Sequence, residues 1–209
     1  ASVNNAIYGL TGSFQPAPFM SGRAYFIGVL SNGILVANKV YNDSFSIGSG
    51  ATAINKTSNS NGFIIAGAIG TSSSTVDIYV LRTNAYGDTL CTRTYDKSTS
   101  DAAMDVKQTT DSNFIIAAIT YDTTVYKNNI YLIKTDAAGD TLWTIKYFYP
   151  LHQVVYSIDQ TTDGGYIMTG NTDNSNGRSL YLIKANDIGD TRWTRMYNPN
   201  IDNYGYYVR

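Results

Sequence analysis

The segment at 130–147 (Ile-Tyr-Leu-Ile-Lys-Thr-Asp-Ala-Ala-Gly-Asp-Thr-Leu-Trp-Thr-Ile-Lys-Tyr) recurs at 180–197 and at 78–95, and in degraded form at 24–41. Internal repetition constrains the fold more than any other feature, because every copy must form the same unit and stack on its neighbours. Gly33, Gly87, Gly139 and Gly189 mark the copies at spacings of 54, 52 and 50 residues. A tyrosine stands eight residues before each glycine (Tyr25, Tyr79, Tyr131, Tyr181), and another eight after it (Tyr41, Tyr95, Tyr147, Tyr197).

Each copy reads as two apolar strands joined by a tight turn, the glycine supplying a backbone conformation that other residues resist. Upstream lies another apolar run, such as Phe114-Ile-Ile-Ala-Ala118 or Tyr166-Ile-Met-Thr-Gly170, and before it a polar turn such as 161–165. A short strand anchored by Ile54, Val106 or Ile158 comes first. One unit is therefore four strands, A to D, expected in the third unit at about 102–109, 113–121, 128–135 and 140–148. Strands B and C are nearly continuous apolar runs, so both of their faces should be buried. Strand D alternates and places Lys39, Arg93 and Arg195 at matching positions, where charge suits a protected outer edge. Pro150 and Pro199 fall in the D-to-A connections, where no ladder donor is needed.

A four-stranded antiparallel meander buried on both faces is a propeller blade. The expectation is an all-β, β-propeller-like fold with four blade-equivalents in a single repeat domain at 1–209. Its units fall at about 1–46 (lacking strand A), 47–99, 100–150 and 151–200, followed by a closing strand at 201–209. The run from Tyr204 to Arg209 resembles a strand A, and the repeat phase suits its completing the N-terminal blade. The step from Ile54 to Phe63 is nine residues, and a chain joined from Arg209 to Ala1 would also put Val208 nine before Tyr8. That strand could close a ring within its own chain, complete the first blade of a neighbouring copy in a head-to-tail filament, or belong to a longer array.

Lys and Arg number 15 against 16 Asp and Glu, which gives no electrostatic reason to expect nucleic acid. No apolar run approaches the ~20 residues that span a bilayer, so no membrane insertion is expected. Cys91 is the sole cysteine, which rules out an internal disulfide or a cysteine metal cluster; its place in the repeat suggests a buried, inert thiol. His152, the sole histidine, lies near Pro150 in a connection with no nucleophile motif to serve. Asp88, Asp136, Asp140, Asp187 and Asp190 give each turn one or two carboxylates, short of the roughly six to eight oxygens calcium takes, so Asx-type turns explain them better. The inner strand carries Asp105, Lys107, Asp159 and Arg209 on one face. These are a candidate ligand site at a channel mouth or, on the plainer reading, charges that pair with one another. No catalytic residue, metal site or cofactor is expected.

The pattern Asp-Ile-Tyr-Val-Leu-(Lys/Arg)-Thr-(Asn/Asp)-x-x-Gly-Asp-Thr-Leu-Trp, with Thr161-Thr-Asp-Gly-Gly-Tyr-Ile, resembles bacterial β-propeller repeats of the SBBP type. The likeness covers essentially the whole chain, most weakly at 1–50, and implies a secreted or cell-surface protein of the Bacteroidetes kind. The run from Asp136 to Trp143 is also similar to the tryptophan-docking motif of quinoprotein propellers, which implies that Trp143 and Trp193 pack between blades. Ala37 and Cys91 depart from that motif, and its cofactor is not carried over. Asp88-Thr-Leu, Asp122-Thr-Thr and Asp140-Thr-Leu resemble a short O-glycan acceptor, implying Thr89, Thr123 and Thr141. Asn42-Asp-Ser and Asn55-Lys-Thr fit the N-glycan acceptor. The function expected is a non-enzymatic extracellular or cell-surface module that is structural or engages a protein partner or copies of itself, through strand exchange at Tyr204 to Arg209. The alternatives are a lectin-like binder, taking glycans in clefts between blades, and a filament subunit.

Overall fold

The computed structural model describes residues 7–14, 22–41, 48–58, 62–72, 74–174, 177–197 and 203–209. One antiparallel sheet forms per repeat unit. The first sheet is β1 (Ile7–Phe14), β2 (Arg23–Leu30) and β3 (Leu35–Val40). The second is β4 (Gly48–Lys56), β5 (Phe63–Gly70), β6 (Val76–Thr83) and β7 (Thr89–Tyr95). The third is β8 (Asp101–Gln108), β9 (Phe114–Asp122), β10 (Lys127–Thr135) and β11 (Thr141–Tyr147). The fourth is β12 (Gln153–Gln160), β13 (Tyr166–Asn174), β14 (Gly177–Ala185) and β15 (Thr191–Tyr197). Strand order follows chain order in every sheet, so each is a meander, and the architecture is all-β and propeller-like as the repeats require.

The turn glycines behave alike. Gly139 has φ +88°, its N–H reaches the Asp136 carbonyl at 3.1 Å, and the Asp136 N–H reaches the Asp140 carbonyl at 2.9 Å. The register then slips at Lys134/Thr135, the bulge that a three-residue hairpin loop ending in a left-handed residue produces. The inner strands carry a second repeated bulge, at Ala51/Ala53, Ala103/Asp105 and Val155/Ser157.

The sheets stack face to face, and three apolar seams join four sheets. Phe26 and Ala24 meet Phe63, Ile65 and Leu81 across the first seam. Ile64, Ile78 and Val80 meet Val106, Phe114 and Ile116 across the second. Ile115, Ile130 and Leu132 meet Ile158, Tyr166 and Ile183 across the third. At roughly 1.5–3 kcal/mol per buried large apolar side chain, these seams outweigh the polar contacts beside them.

Two expectations change here. Strands B and C are buried on both faces in the middle sheets, as in β9 and β10, but β2 and β14 alternate between buried and half-exposed positions. Among the described residues, the first and fourth sheets each pack against another sheet on one side only. The run from Tyr204 to Arg209 does not complete the N-terminal blade: the first sheet has three strands, and 203–209 pairs with none of the named strands. It lies instead along the fourth sheet, where the Asn203 N–H reaches the Arg178 carbonyl at 2.9 Å and the Gly205 N–H reaches the Gly170 carbonyl at 3.3 Å.

Candidate functional site

A polar and aromatic network crosses each seam at the outer hairpins. The Tyr41, Tyr95 and Tyr147 hydroxyls donate to the carbonyls of Gly87, Gly139 and Gly189 in the following sheet, at 2.9, 2.7 and 2.6 Å. Burial pushes all three tyrosines up, Tyr95 to about 12. Trp143 completes the third seam, its ring centroid 6.1 Å from that of Tyr166 in an edge-on contact. Trp193, at the same repeat position, is 39% exposed, with no described sheet packed on that face. Lys39 and Arg93 are not edge guards: they reach across the seams to Asp88 (2.8 Å) and Asp140 (3.3 Å). Lys39 and Asn84 hold the Asp88 carboxyl below its ordinary value.

Of the four inner-strand residues, Asp105 and Lys107 form an ion pair, Arg209 reaches that pair through Tyr207, and Asp159 binds the following backbone N–H. Lys107 Nζ lies 3.4 Å from Asp105, whose other oxygen accepts from Ser157 Oγ and the Ile158 N–H at 3.1 and 3.0 Å. Lys107 also sits 5.7 Å over the Tyr207 ring, and Arg209 Nε donates to the Tyr207 hydroxyl at 2.7 Å. Asp159 accepts from the Gln160 N–H at 2.9 Å. Asp136 acts as an Asx cap, taking the Ala138 and Asp140 N–H groups at 2.8 Å each, whereas Asn84 and Asn186 hold that place in the second and fourth units and donate their amides to Asp88 and Asp190. Thr89, Thr123 and Thr141 are exposed, Asn55 is half-buried, and Asn42 lies outside the described residues. Cys91 is half-buried rather than enclosed, its sulfur facing the Ala138 carbonyl at 4.0 Å, because the neighbouring turn covers only part of it.

One cleft stands apart. Between the third and fourth sheets a cavity of about 390 Å³ is lined by Lys146, Tyr147, Phe148, Tyr149, Gln153, Tyr181, Asp190, Thr191 and Thr194, with Ile145, Ile183 and Gly189 behind them. Its size falls within the range of small-molecule sites. Gln153 is 1% exposed, and both polar atoms of its carboxamide lack a hydrogen-bond partner. Burial pushes the Tyr181 hydroxyl up, with Thr194 and Gln153 close enough to pull it part of the way back, yet neither Gln153 atom completes a bond. Phe148 is 75% exposed at the rim, and Tyr149 packs on Tyr181 with centroids 5.7 Å apart. Lys146 is neutralised by Asp122 at 3.1 Å.

Comparison with the preceding unit makes Gln153 unusual. Asp101 opens β8 as Gln153 opens β12, and each faces a threonine of the next strand, Thr120 or Thr172. Asp101 takes the Lys97 and Ser98 N–H groups and the Ser98 hydroxyl at 2.7–2.8 Å, closing its own connection. Gln153 caps nothing. Its signal in the sequence is the change from aspartate to glutamine at one repeat position, which is legible only once the units are aligned. A second cleft, between the A-to-B turns of the second and third sheets, has its carboxamide satisfied, Gln108 Oε1 taking the Ser58 N–H and hydroxyl at 2.7 and 3.0 Å.

No protein-family model and no curated protein matches the sequence. Among solved structures, the chain is similar to the Bombyx mori GH32 beta-fructofuranosidase BmSUC1, with a TM-score of 0.52 at 9% identity over 91% of this chain and 47% of that one. The chain thus spans about half the length of the structure it matches, and the likeness is one of propeller-like fold. It corrects the expectation of a protein without enzymatic activity: this architecture is shared with a glycoside hydrolase, so it gives no ground for setting catalysis aside.

Proposed function

We propose that this chain is a carbohydrate-binding module, extracellular or at the cell surface and built of SBBP-type repeats, that holds a saccharide in the cleft between the third and fourth sheets. The observation that carries the reading is the Gln153 carboxamide, buried and unpaired at the wall of an aromatic-lined cavity. A buried amide left unbonded costs about 1–3 kcal/mol, a penalty that a bound partner removes. A sugar ring supplies the complement: vicinal hydroxyls both donate to and accept from a carboxamide, and the C–H face rests on aromatic rings such as Phe148 and Tyr149. Thr191, Thr194 and Asp190 add hydroxyl and carboxylate partners at the rim. Apart from Asp190 at the rim and Lys146, which Asp122 neutralises, the lining is uncharged, which favours an uncharged ligand. The fold neighbour is itself named for a sugar, which is consistent with this reading and rests on the fold alone.

A glycan array probed with the labelled protein tests this. Binding to a defined set of saccharides is expected, weakened at least about tenfold by Phe148→Ala, which removes an exposed ring without touching the core. An array without hits contradicts the proposal.

A further inference from the structure

The outer turns of the second and third sheets are latched by charge from the sheet before them. Asp88 faces Lys39 at 2.8 Å and Asp140 faces Arg93 at 3.3 Å. Each aspartate follows a turn glycine directly, and each cation stands two residues before a docking tyrosine. In the third seam the aspartate is Asp190, and Ile145 holds the place of the cation. The equivalence is spatial as well as sequential. A Cβ on Gly87 or Gly139 would meet Lys39 Cγ at 3.0 Å or Arg93 Cγ at 2.8 Å, and one on Gly189 would meet Ile145 Cδ1 at 2.8 Å. Asp190 is exposed, and among the described residues no cation pairs with it. Lys146 lines the same cleft but is held by Asp122 at 3.1 Å. The Asn186 amide donates to one Asp190 oxygen at 3.3 Å, which leaves most of the carboxylate's acceptor capacity open.

The rest of the seam changes with it. Lys97, whose ammonium lies 5.9 Å over the Tyr131 ring in the second seam, gives way to Tyr149, whose ring lies 5.7 Å from that of Tyr181. Asp96 gives way to Phe148, and the capping Asp101 to the unpaired Gln153. Differences at four repeat positions thus remove two cations and two anions and put apolar or aromatic groups at three of the places. They leave a carboxylate without a cation and a carboxamide without a partner in one cleft.

We propose that Asp190 anchors the ligand in this cleft and sets its selectivity, accepting hydrogen bonds from two vicinal hydroxyls of a neutral sugar while Gln153 pairs with a further hydroxyl at the wall. The inference rests on the saccharide reading above. A carboxylate only accepts, so the ligand must bring donors, and hydrogen bonds to it are charge-assisted. At the exposed rim its charge is already solvated, so hydroxyl donors satisfy it without a full counter-charge. The same charge works against an acidic sugar. With Lys146 engaged by Asp122, a uronate would set one carboxylate beside another with no cation between them. The cleft therefore takes neutral saccharides and rejects acidic ones.

Calorimetric titration tests this with neutral hexosides selected on the array and with the uronates that differ from them only by a carboxylate at C6. The wild type should bind the neutral sugar at least about tenfold more tightly than its uronate. Asp190→Asn should weaken the neutral sugar at least about tenfold and narrow that gap. Ile145→Arg, which restores the cation of the earlier seams, should also lose binding, and retained binding by the folded variant overturns the proposal. If circular dichroism shows that Ile145→Arg does not fold, Asp190→Asn decides alone, since that position is exposed. A neutral sugar bound equally well by Asp190→Asn, or a uronate bound by the wild type as tightly as its neutral counterpart, overturns the role of Asp190 and leaves the saccharide reading standing. A wild type that binds no sugar overturns both.

Discussion

The Tyr147 hydroxyl donates to the Gly189 carbonyl at 2.6 Å, tying the last strand of the third sheet to the outer turn of the fourth. Two earlier seams repeat the bond. The repeat therefore encodes docking as well as folding, since the residue that ends one unit latches the turn of the next. One such bond contributes only about 0.5–1.5 kcal/mol net, and the apolar seam beneath it contributes more. The bond fixes register rather than supplying most of the stability.

Tyr147→Phe should destabilise the protein by about 1–3 kcal/mol, because it leaves the Gly189 carbonyl without its donor at a buried position. Urea unfolding measures the loss. A midpoint equal to that of the wild type would show that the latch is incidental.

Gly189→Ala and Gly33→Ala separate docking from backbone strain. Both residues have nearly the same positive φ, 89° and 83°, so alanine strains both by about 1–3 kcal/mol. Only at Gly189 does the added methyl meet Trp143 and Ile145. Gly189→Ala should therefore be clearly the worse of the two in thermal melts, and equal losses would contradict the seam as described.

Alkaline pH should unfold the protein. Burial raises Tyr95 and Tyr166 to about 12, above the ordinary value of 10.0. Their contribution is fully present below pH 10 and is lost as pH climbs toward 12, because the unfolded chain ionises first. Stability measured from pH 8 upward should stay flat to about 10 and then fall. No decline before about pH 12 would contradict the burial of these hydroxyls.

At the acid end, burial works against ionisation of Asp111, but Thr109, Lys134 and the Asn113 N–H outweigh it and hold the carboxyl at about 2. Its contribution is present above the usual carboxylate range and is lost as pH falls from about 4 toward 2. Lys134→Met, which keeps the apolar stem and drops the charge, should flatten part of that decline. An unchanged acid profile would remove Lys134 from the account.

Much of this was legible in the residues. The glycine and tyrosine spacings gave the unit, and the boundaries expected for the third unit fall within about a residue of β8 to β11. Other features depend on what lies opposite, which a repeat pattern does not show. Lys39 and Arg93 look like edge charges until Asp88 and Asp140 of the next sheet are placed against them. The run from Tyr204 to Arg209 has the pattern of an inner strand, yet it lies along the fourth sheet without joining a strand ladder, because pattern specifies a face and not a pairing. Gln153 was invisible for a different reason. An amide is unremarkable in a sequence, and its isolation appears only when Asp101 is seen capping a connection that Gln153 does not reach.

If the Gln153 carboxamide is kept unpaired for a ligand, Gln153→Leu shows it through paired melting and calorimetric titration with an array-selected sugar. The prediction is a protein at least as stable as the wild type, by up to about 1–3 kcal/mol since an unsatisfied buried amide is removed, that no longer binds the sugar. A variant that is less stable, or one that binds as the wild type does, would contradict it.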